Sequence, residues 1–301
     1  MRRRCVRSWK SARRASKADR RPDVPRTATM ARVLSKLWRD GVLQLVLEHA
    51  PVNSLSHPMR LALWEALEAA DADPAVRAIV IGGAGRGFSA GGDYAELRSP
   101  LQQQWPALSA HLFPRIEACT KPMIAAIHGF AIGGGFELAL ACHYRVAQRD
   151  ARIALPELKH GVVPPSGSQR LPRAVGVGRA LALILAGEPV RADRYADTPL
   201  FDRLCEADPL AAARAFAAAM DRDRPPASVL LRHRPLDRCG AAEAIAAYRA
   251  RLGDAGVPNQ AALGCIDAVE CAVNAADFDG GLAGAKRIHD ELSVRARAGT
   301  G

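Results

Sequence analysis

The chain has 301 residues, 49% hydrophobic and 24% charged, enough for one large domain or for a domain with an appendage. No run of about 18 uncharged apolar residues occurs, so no membrane-spanning helix is expected. The formal net charge of +11 is unevenly placed: residues 1–29 hold eleven Lys and Arg against Asp19 and Asp23, a net +9 that leaves +2 for the remainder.

The high isoelectric point therefore belongs to a tail, residues 1–29, and three explanations of it stay open. It is upstream sequence ahead of a start at Met30, a disordered basic arm for nucleic acid or another polyanion, or an organelle transit peptide, being Arg-rich and acid-poor. Nucleic acid is an expected partner only if the tail is native, and a mitochondrial address only if it is a transit peptide. The tail lacks the apolar segment of a secretory signal. Cysteines 5, 119, 142, 205, 239, 265 and 271 show no CxxC or Cys/His metal spacing. Reduced thiols, a cytoplasmic location and no metal site are expected.

In chain order, residues 31–37 and 42–47 are expected to be strands around the Arg39-Asp40-Gly41 turn, Asp-Gly being a hairpin signal. Ser56 is positioned to cap a helix with Pro58 in its first turn. Met59, Leu63, Trp64 and Leu67 then recur on one helical face. Residues 76–81 form a short apolar strand ending in Gly82-Gly83. A helix is expected over 101–118 and a buried strand over 123–127, ending at His128-Gly129. Another helix opens in Gly133-Gly134-Gly135 and runs to about Cys142. Strands follow at 144–147 and 152–154, then a helix at 175–186. After that the pattern changes. Residues 209–220, 241–252, 260–274 and 281–295 are Ala-rich helical segments with no strand between them. An α/β core over 30–222 followed by a helical region over 223–301 is expected, with a soft boundary at 222–226.

Two glycine-bearing segments follow two apolar strands. They are Gly87-Phe88-Ser89-Ala90-Gly91-Gly92-Asp93 and His128-Gly129-Phe130-Ala131-Ile132-Gly133-Gly134-Gly135-Phe136-Glu137. Side by side, two such turns can aim two backbone N–H groups at one oxygen. The second also opens a helix whose N-terminal amides favour negative charge. One such donor is typically worth about 2.7–4 kcal/mol in a transition state. Each turn taken singly is equally an ordinary strand-to-helix connection. Glu137 and Glu157 are the carboxylates of interest. Alone, each is an ordinary solvated residue; facing each other across a pocket, they make a general base and a general acid.

These segments resemble the crotonase (enoyl-CoA hydratase/isomerase) family. Phe88–Asp93, Lys121-Pro122-Met123-Ile124-Ala125-Ala126-Ile127-His128-Gly129, the Gly133–Glu137 turn, Leu155-Pro156-Glu157 and Gln169-Arg170-Leu171-Pro172-Arg173 occur in that family's order, over about residues 31–190. The resemblance implies a spiral of ββα units with C-terminal helices. It also implies an acyl-CoA thioester substrate bound by a homotrimer or dimer of trimers, with no cofactor beyond the CoA of the substrate. Its oxyanion-hole amides fall on Gly92 and Gly134 and its hydratase glutamates on Glu137 and Glu157. Phe88, Ala90, Gly91, Asp93 and Gly133 fall on its substrate- and CoA-binding positions. The implied activity is hydration of trans-2-enoyl-CoA in fatty-acid β-oxidation. The alternatives are Δ3/Δ2-enoyl-CoA isomerisation and a non-catalytic binding role on the same frame. Pro51-Val52-Asn53-Ser54-Leu55-Ser56 and Phe278-Asp279-Gly280-Gly281-Leu282-Ala283 further resemble the two ends of the hydratase half of bifunctional fatty-acid oxidation enzymes.

The sequence departs from that pattern at three places. Pro164-Pro165-Ser166-Gly167-Ser168 is one residue shorter than the usual loop, and Pro165 has no N–H to offer a catalytic water. The task of holding water would then pass to Ser166 or Gly167. His143 stands where the family usually has Asp, and is expected to be structural. Residues 195–202 carry an inserted proline, Pro199, beside the expected acyl pocket.

Overall fold

The computed structural model describes residues 32–38, 40–96, 99–220, 226–254 and 259–298. Residues 1–29 and the expected boundary at 222 lie outside the described residues. The strands β1 (Arg32–Leu37), β2 (Val42–Glu48), β3 (Ala78–Gly83), β4 (Met123–Ile127), β6 (Tyr144–Gln148) and β9 (Arg203–Cys205) form one sheet in the order β1-β2-β3-β4-β6-β9. Only β1 runs antiparallel, as the hairpin signal requires; the other pairings are parallel. Every residue of β3 and β4 is buried. Unbroken apolar runs such as Ala-Ile-Val-Ile and Met-Ile-Ala-Ala-Ile suit a parallel sheet covered on both faces.

One face packs on α1 (His57–Ala72) through Met59, Leu63, Leu67 and Ala70. The other is covered by α6 (Pro209–Ala218), where Leu210, Ala213 and Phe216 meet Val80, Ile124, Tyr144 and Val146. A second, smaller sheet has the order β5 (Phe130–Ile132), β7 (Arg152–Ala154), β8 (Val190–Arg191). The chain thus repeats strand of the first sheet, strand of the second, helix: β4, β5 and α3 (Gly134–Ala141), then β6, β7 and α4 (Gly167–Val175). A parallel bridge from Ser89 to Ala131 gives the preceding turn of this spiral its place beside β5. The molecule is an α/β crotonase-type spiral with C-terminal helices α7 (Ala241–Asp254), α8 (Gln260–Asn274) and α9 (Phe278–Ala298). These helices pack on α4 and α5 (Val177–Ala186). No helix among the described residues is long and apolar enough to cross a membrane.

Three expectations need correction. Residues 101–118 are not one helix. They form a 3-10 turn at Pro100–Gln102, a π-helical turn at Leu108–Leu112 and a short α2 at Phe113–Glu117. Pro106 and Pro114 each remove a backbone donor, which breaks a continuous ladder. Helix 175–186 starts later, at Val177, because Gly176 (φ 83°) separates it from α4, which the pattern did not reveal. Ser56 does stand at the N-cap of α1, but its hydroxyl makes no cap bond. The carboxylate of Glu96 takes the His57 N–H instead, at 2.6 Å.

Leu63 is wholly buried between α1 and the sheet. Leu63→Ala is expected to cost about 2–5 kcal/mol of unfolding free energy. Denaturant unfolding checks this: the midpoint falls and the slope is retained.

Candidate active site

The two glycine-bearing turns meet. Ile132 N–H donates to Ser89 O at 3.0 Å, and Ser89 Oγ donates to Asn53 O at 2.7 Å. Ala90 and Leu55 backbone bonds to Val52 O and Gly91 O stitch the first turn to residues 52–55. Gly91 has φ +90°, and a side-chain carbon there would lie 2.7 Å from Ile132 O and 2.8 Å from Gly134 N. Only glycine permits that approach. A side-chain carbon at Gly134 would lie 3.3 Å from the Gly92 nitrogen, so the two amides are neighbours. Among the described residues, neither amide is taken up by a backbone acceptor. Such a pair of free N–H groups, one of them at a helix N-terminus, can stabilise an oxyanion.

Glu137 sits in the first turn of α3 and is buried. Its Oε1 accepts the Gly167 N–H at 2.6 Å, at the N-terminus of α4. Burial raises the pKa of this carboxyl, opposed by the Gly167 N–H, the charge of Arg170 and the Ser166 N–H. Glu157 opens a 3-10 turn after β7. Its Oε1 lies 3.0 Å from where a Gly133 side-chain carbon would be. Its Oε2 is sealed from solvent with no hydrogen-bond partner. Burial, and then the nearby charge of Glu137, hold this carboxyl well above the usual carboxylate range. The two glutamates are therefore pushed apart in their chemistry. Glu137 is solvated by amides and a guanidinium, whereas Glu157 faces burial and a like charge. Carboxyls in such unlike environments divide into a base and an acid.

A cavity of about 910 Å³ opens over these groups. Ala90, Gly92, Gly133, Gly134, Glu137 and Glu157 all line it. Phe88, Gly91 and Asp93, expected as ligand-binding positions, do not. Phe88 is fully buried in the hydrophobic core, because its segment pairs with β5 and turns the ring inward. Gly91 is the point of close approach between the turns. Asp93 accepts from Ser54 Oγ and Ala95 N, each at 2.9 Å, and so ties its own loop.

Several contributors were not visible in the sequence. Leu108 lies against the Gly133-Gly134 turn, 3.1 Å from where a Gly134 side-chain carbon would be. His289 and Ser293 bring α9 onto the cavity wall, and the His289 ring bonds Val163 O at 2.6 Å. The Gly167 N–H, named above as a possible water holder, is given to Glu137 instead. Ser166 Oγ accepts from Arg170 Nη1 at 2.6 Å, and Arg170 also donates to Glu117 Oε1 through Nε and Nη2, at 2.9 and 2.7 Å. Arg232 completes the Glu117 pair at 3.0 Å. The signal for this network was the Gln169-Arg170 step, but its partners are far off in sequence. His143 lies away from the cavity. Its Nδ1 accepts the Met123 N–H at 3.1 Å, and burial, with Arg145 nearby, pulls it down to about 4.

The family model described as enoyl-CoA hydratase/isomerase matches residues 38–235. A Bacillus subtilis protein named "Probable enoyl-CoA hydratase" is 42% identical over 191 residues, which is 61% of this chain and 74% of that protein. The human peroxisomal bifunctional enzyme is 36% identical over 231 residues, 75% of this chain but 31% of that protein. The chain thus spans about a third of the length of that longer relative. A solved structure of a carnitinyl-CoA dehydratase from Mycobacterium avium 104 superposes with a TM-score of 0.58 at 29% identity, covering 74% of this chain and 93% of that one.

A carboxyl whose pKa is raised on folding contributes stability that is complete below its unfolded value. That stability is lost as pH rises through the folded value. Glu157 is such a group. Glu157→Gln is therefore expected to leave Tm unchanged near pH 4 and to raise it at pH 8. Each kcal/mol recovered is worth about 2–4 °C for a chain of this size. A Tm difference that shrinks as pH rises would refute the assignment.

Proposed function

Because the chain belongs to the enoyl-CoA hydratase/isomerase (crotonase) family, we propose that it is an enoyl-CoA hydratase, adding water syn across trans-2-enoyl-CoA to give 3-hydroxyacyl-CoA. The observation that carries this reading is the unlike pair of glutamates facing one cavity beside two free amides. Hydration needs one group to take a proton from water and another to give a proton to carbon. In the proposed cycle the thioester oxygen lies between the Gly92 and Gly134 N–H groups. Ionised Glu137 takes a proton from water as its oxygen bonds to Cβ. The carbon–carbon π electrons move onto the thioester as an enolate, and protonated Glu157 delivers its proton to Cα. The sum is one water added, and the carboxyls exchange roles until a proton passes back. No electrons leave the substrate, so the proposed chemistry needs no redox cofactor, and the Gly92 and Gly134 N–H groups supply the polarisation of the thioester oxygen that a Lewis acid would otherwise give.

The shortened loop fits this scheme in a particular way. Pro165 lines the cavity without an N–H, and the Gly167 amide holds Glu137. Water would be held by the glutamates themselves rather than by the loop. The substrate class, the homotrimer or dimer of trimers, the place in β-oxidation and the cytoplasmic location belong to the same proposal. The buried free thiols of Cys119, Cys142 and Cys265 support a reducing compartment. A rival reading, Δ3/Δ2 isomerisation by Glu157 alone, draws support from the unpartnered Glu157 Oε2.

Loss of the conjugated enoyl-thioester absorbance measures hydration directly. Glu137→Gln and Glu157→Gln are each expected to lower kcat by about 10²- to 10⁴-fold. Full hydration by Glu137→Gln would sink the two-glutamate mechanism, and isomerisation without hydration would favour the rival. Inactivity of the wild type on every enoyl-CoA would favour a binding role. The wild-type pH profile of kcat/KM is expected to be a bell, with its acidic limb above the usual carboxylate range; its alkaline limb should vanish in Glu157→Gln.

A further inference from the structure

The buried face of α1 is apolar except for His57 at its start and Arg60, which is 2% exposed. A guanidinium in such a place is costly unless every donor is used. Here the donors reach four acceptors. Nε donates to Pro106 O at 2.8 Å, and Nη1 donates to Leu55 O at 2.9 Å and to Glu96 Oε2 at 2.8 Å. Nη2 donates to Leu101 O at 2.6 Å. The other oxygen of Glu96 accepts the His57 N–H. One helical turn further along the same clamp, His57 Nε2 meets Trp105 O at 2.9 Å, and a carbonyl only accepts, so Nε2 carries the proton. The Trp105 ring packs edge-on against Trp64 of α1 at 5.0 Å.

Described residues between Glu96 and Pro106 thus hang from α1 at four points: Glu96, Leu101, Trp105 and Pro106. Between these points the segment has only a 3-10 turn at Pro100–Gln102 and short local hydrogen bonds. Yet Gln102, Gln103, Ala107 and Leu108 are cavity wall, and Leu108 touches the oxyanion turn. We propose that Arg60 is a positioning residue for substrate specificity: by tying Leu55, Glu96, Leu101 and Pro106 together it holds the 99–108 wall against the acyl chain and sets which chain lengths bind. The proposal rests on the hydratase reading for its substrate. A wall held by three carbonyls and one carboxylate needs the planar fork of arginine. Lysine keeps the charge beside Glu96 but cannot reach Leu101 and Pro106 together.

The test compares the full chain with Arg60→Lys and Glu96→Gln, using a crotonyl thioester and a long-chain trans-2-enoyl-CoA. For either variant that folds, KM for the long chain is expected to rise about tenfold relative to KM for crotonyl-CoA. Its kcat on crotonyl-CoA and its pH profile should stay as in the wild type. An unchanged long-to-short KM ratio, or a fall in kcat equal for both substrates, overturns the proposal and leaves Arg60 a support of the fold alone. Hydrogen exchange on the wild type reads the same wall without any substitution. Saturating long-chain acyl-CoA should slow exchange across residues 99–108 several-fold more than butyryl-CoA does, and equal protection by the two also overturns it. Because these ligands are saturated, the exchange result stands even if the wild type hydrates neither thioester, an outcome that counts against the hydratase reading alone.

Discussion

Two backbone turns approach so closely at Gly91 and Gly134 that no side chain fits between them, and much of the core is arranged to keep them there. A carbon on Gly91 would press on Ile132 O and Gly134 N together. Such an approach survives only if both turns are held from behind. The first is held by the Ser89 bridge to Ala131, by the buried Phe88 ring and by Asn53, whose Nδ2 donates to Ala84 O and Gly87 O at 2.7 and 2.9 Å. The second is held by Gly133 N–H donating to Ala154 O at 2.9 Å and by the buried body of α3, apolar apart from Glu137. Free amides are ordinarily a cost in a folded chain. Here they are kept open at a cavity, where a developing negative charge would use them.

The carboxylates carry a second such cost. Burying Glu157 beside Glu137 works against folding at neutral pH, and the surrounding groups limit the penalty at one member only. Glu137 leans on the amide of Gly167, and the loop bearing that amide is fastened by Ser166 to Arg170. From Arg170 the fastening continues through Glu117 to Arg232 and on to Asp279, at 2.7 Å. Arg170, Arg173 and Arg232 also gather on the ring of Phe278, each within about 5 Å of its centroid. The Phe278-Asp279 step at the start of α9 therefore reaches back to the base of Glu137. Cys265 of α8 lies near Glu157, whose charge adds to burial in pushing the thiol up to about 12. The C-terminal helices are part of the site's electrostatic support as well as of its wall.

How much of this was legible in the sequence differs by element. Strands β3 and β4 were visible because a buried parallel strand is an unbroken apolar run, and α3 was visible because three glycines precede a helical pattern. The 101–118 segment misled because its apolar spacing suits a helix while Pro106 and Pro114 forbid one. Helix α4 was hidden because its sequence, Gly-Ser-Gln-Arg-Leu-Pro-Arg-Ala-Val, has glycine, serine and proline where a helix pattern is sought. Its burial, not its propensity, decides its form. Phe88 was assigned to the ligand by its motif, and pairing with β5 turned it to the core instead.

The sequence by itself determined strands β1–β4, β6 and β7, the two glycine turns, the pair of candidate glutamates and the family, because each is written in residues close together along the chain; the short strands β5, β8 and β9 emerged only in the fold. Only the tertiary structure decided that Glu137 takes the amide of Gly167 while Glu157 is left with a bare oxygen, and that Arg60 holds the wall at Leu101 and Pro106. Those contacts join residues 30 or more positions apart. Their energies depend on burial and on neighbouring charges, and neither quantity exists until the chain has folded.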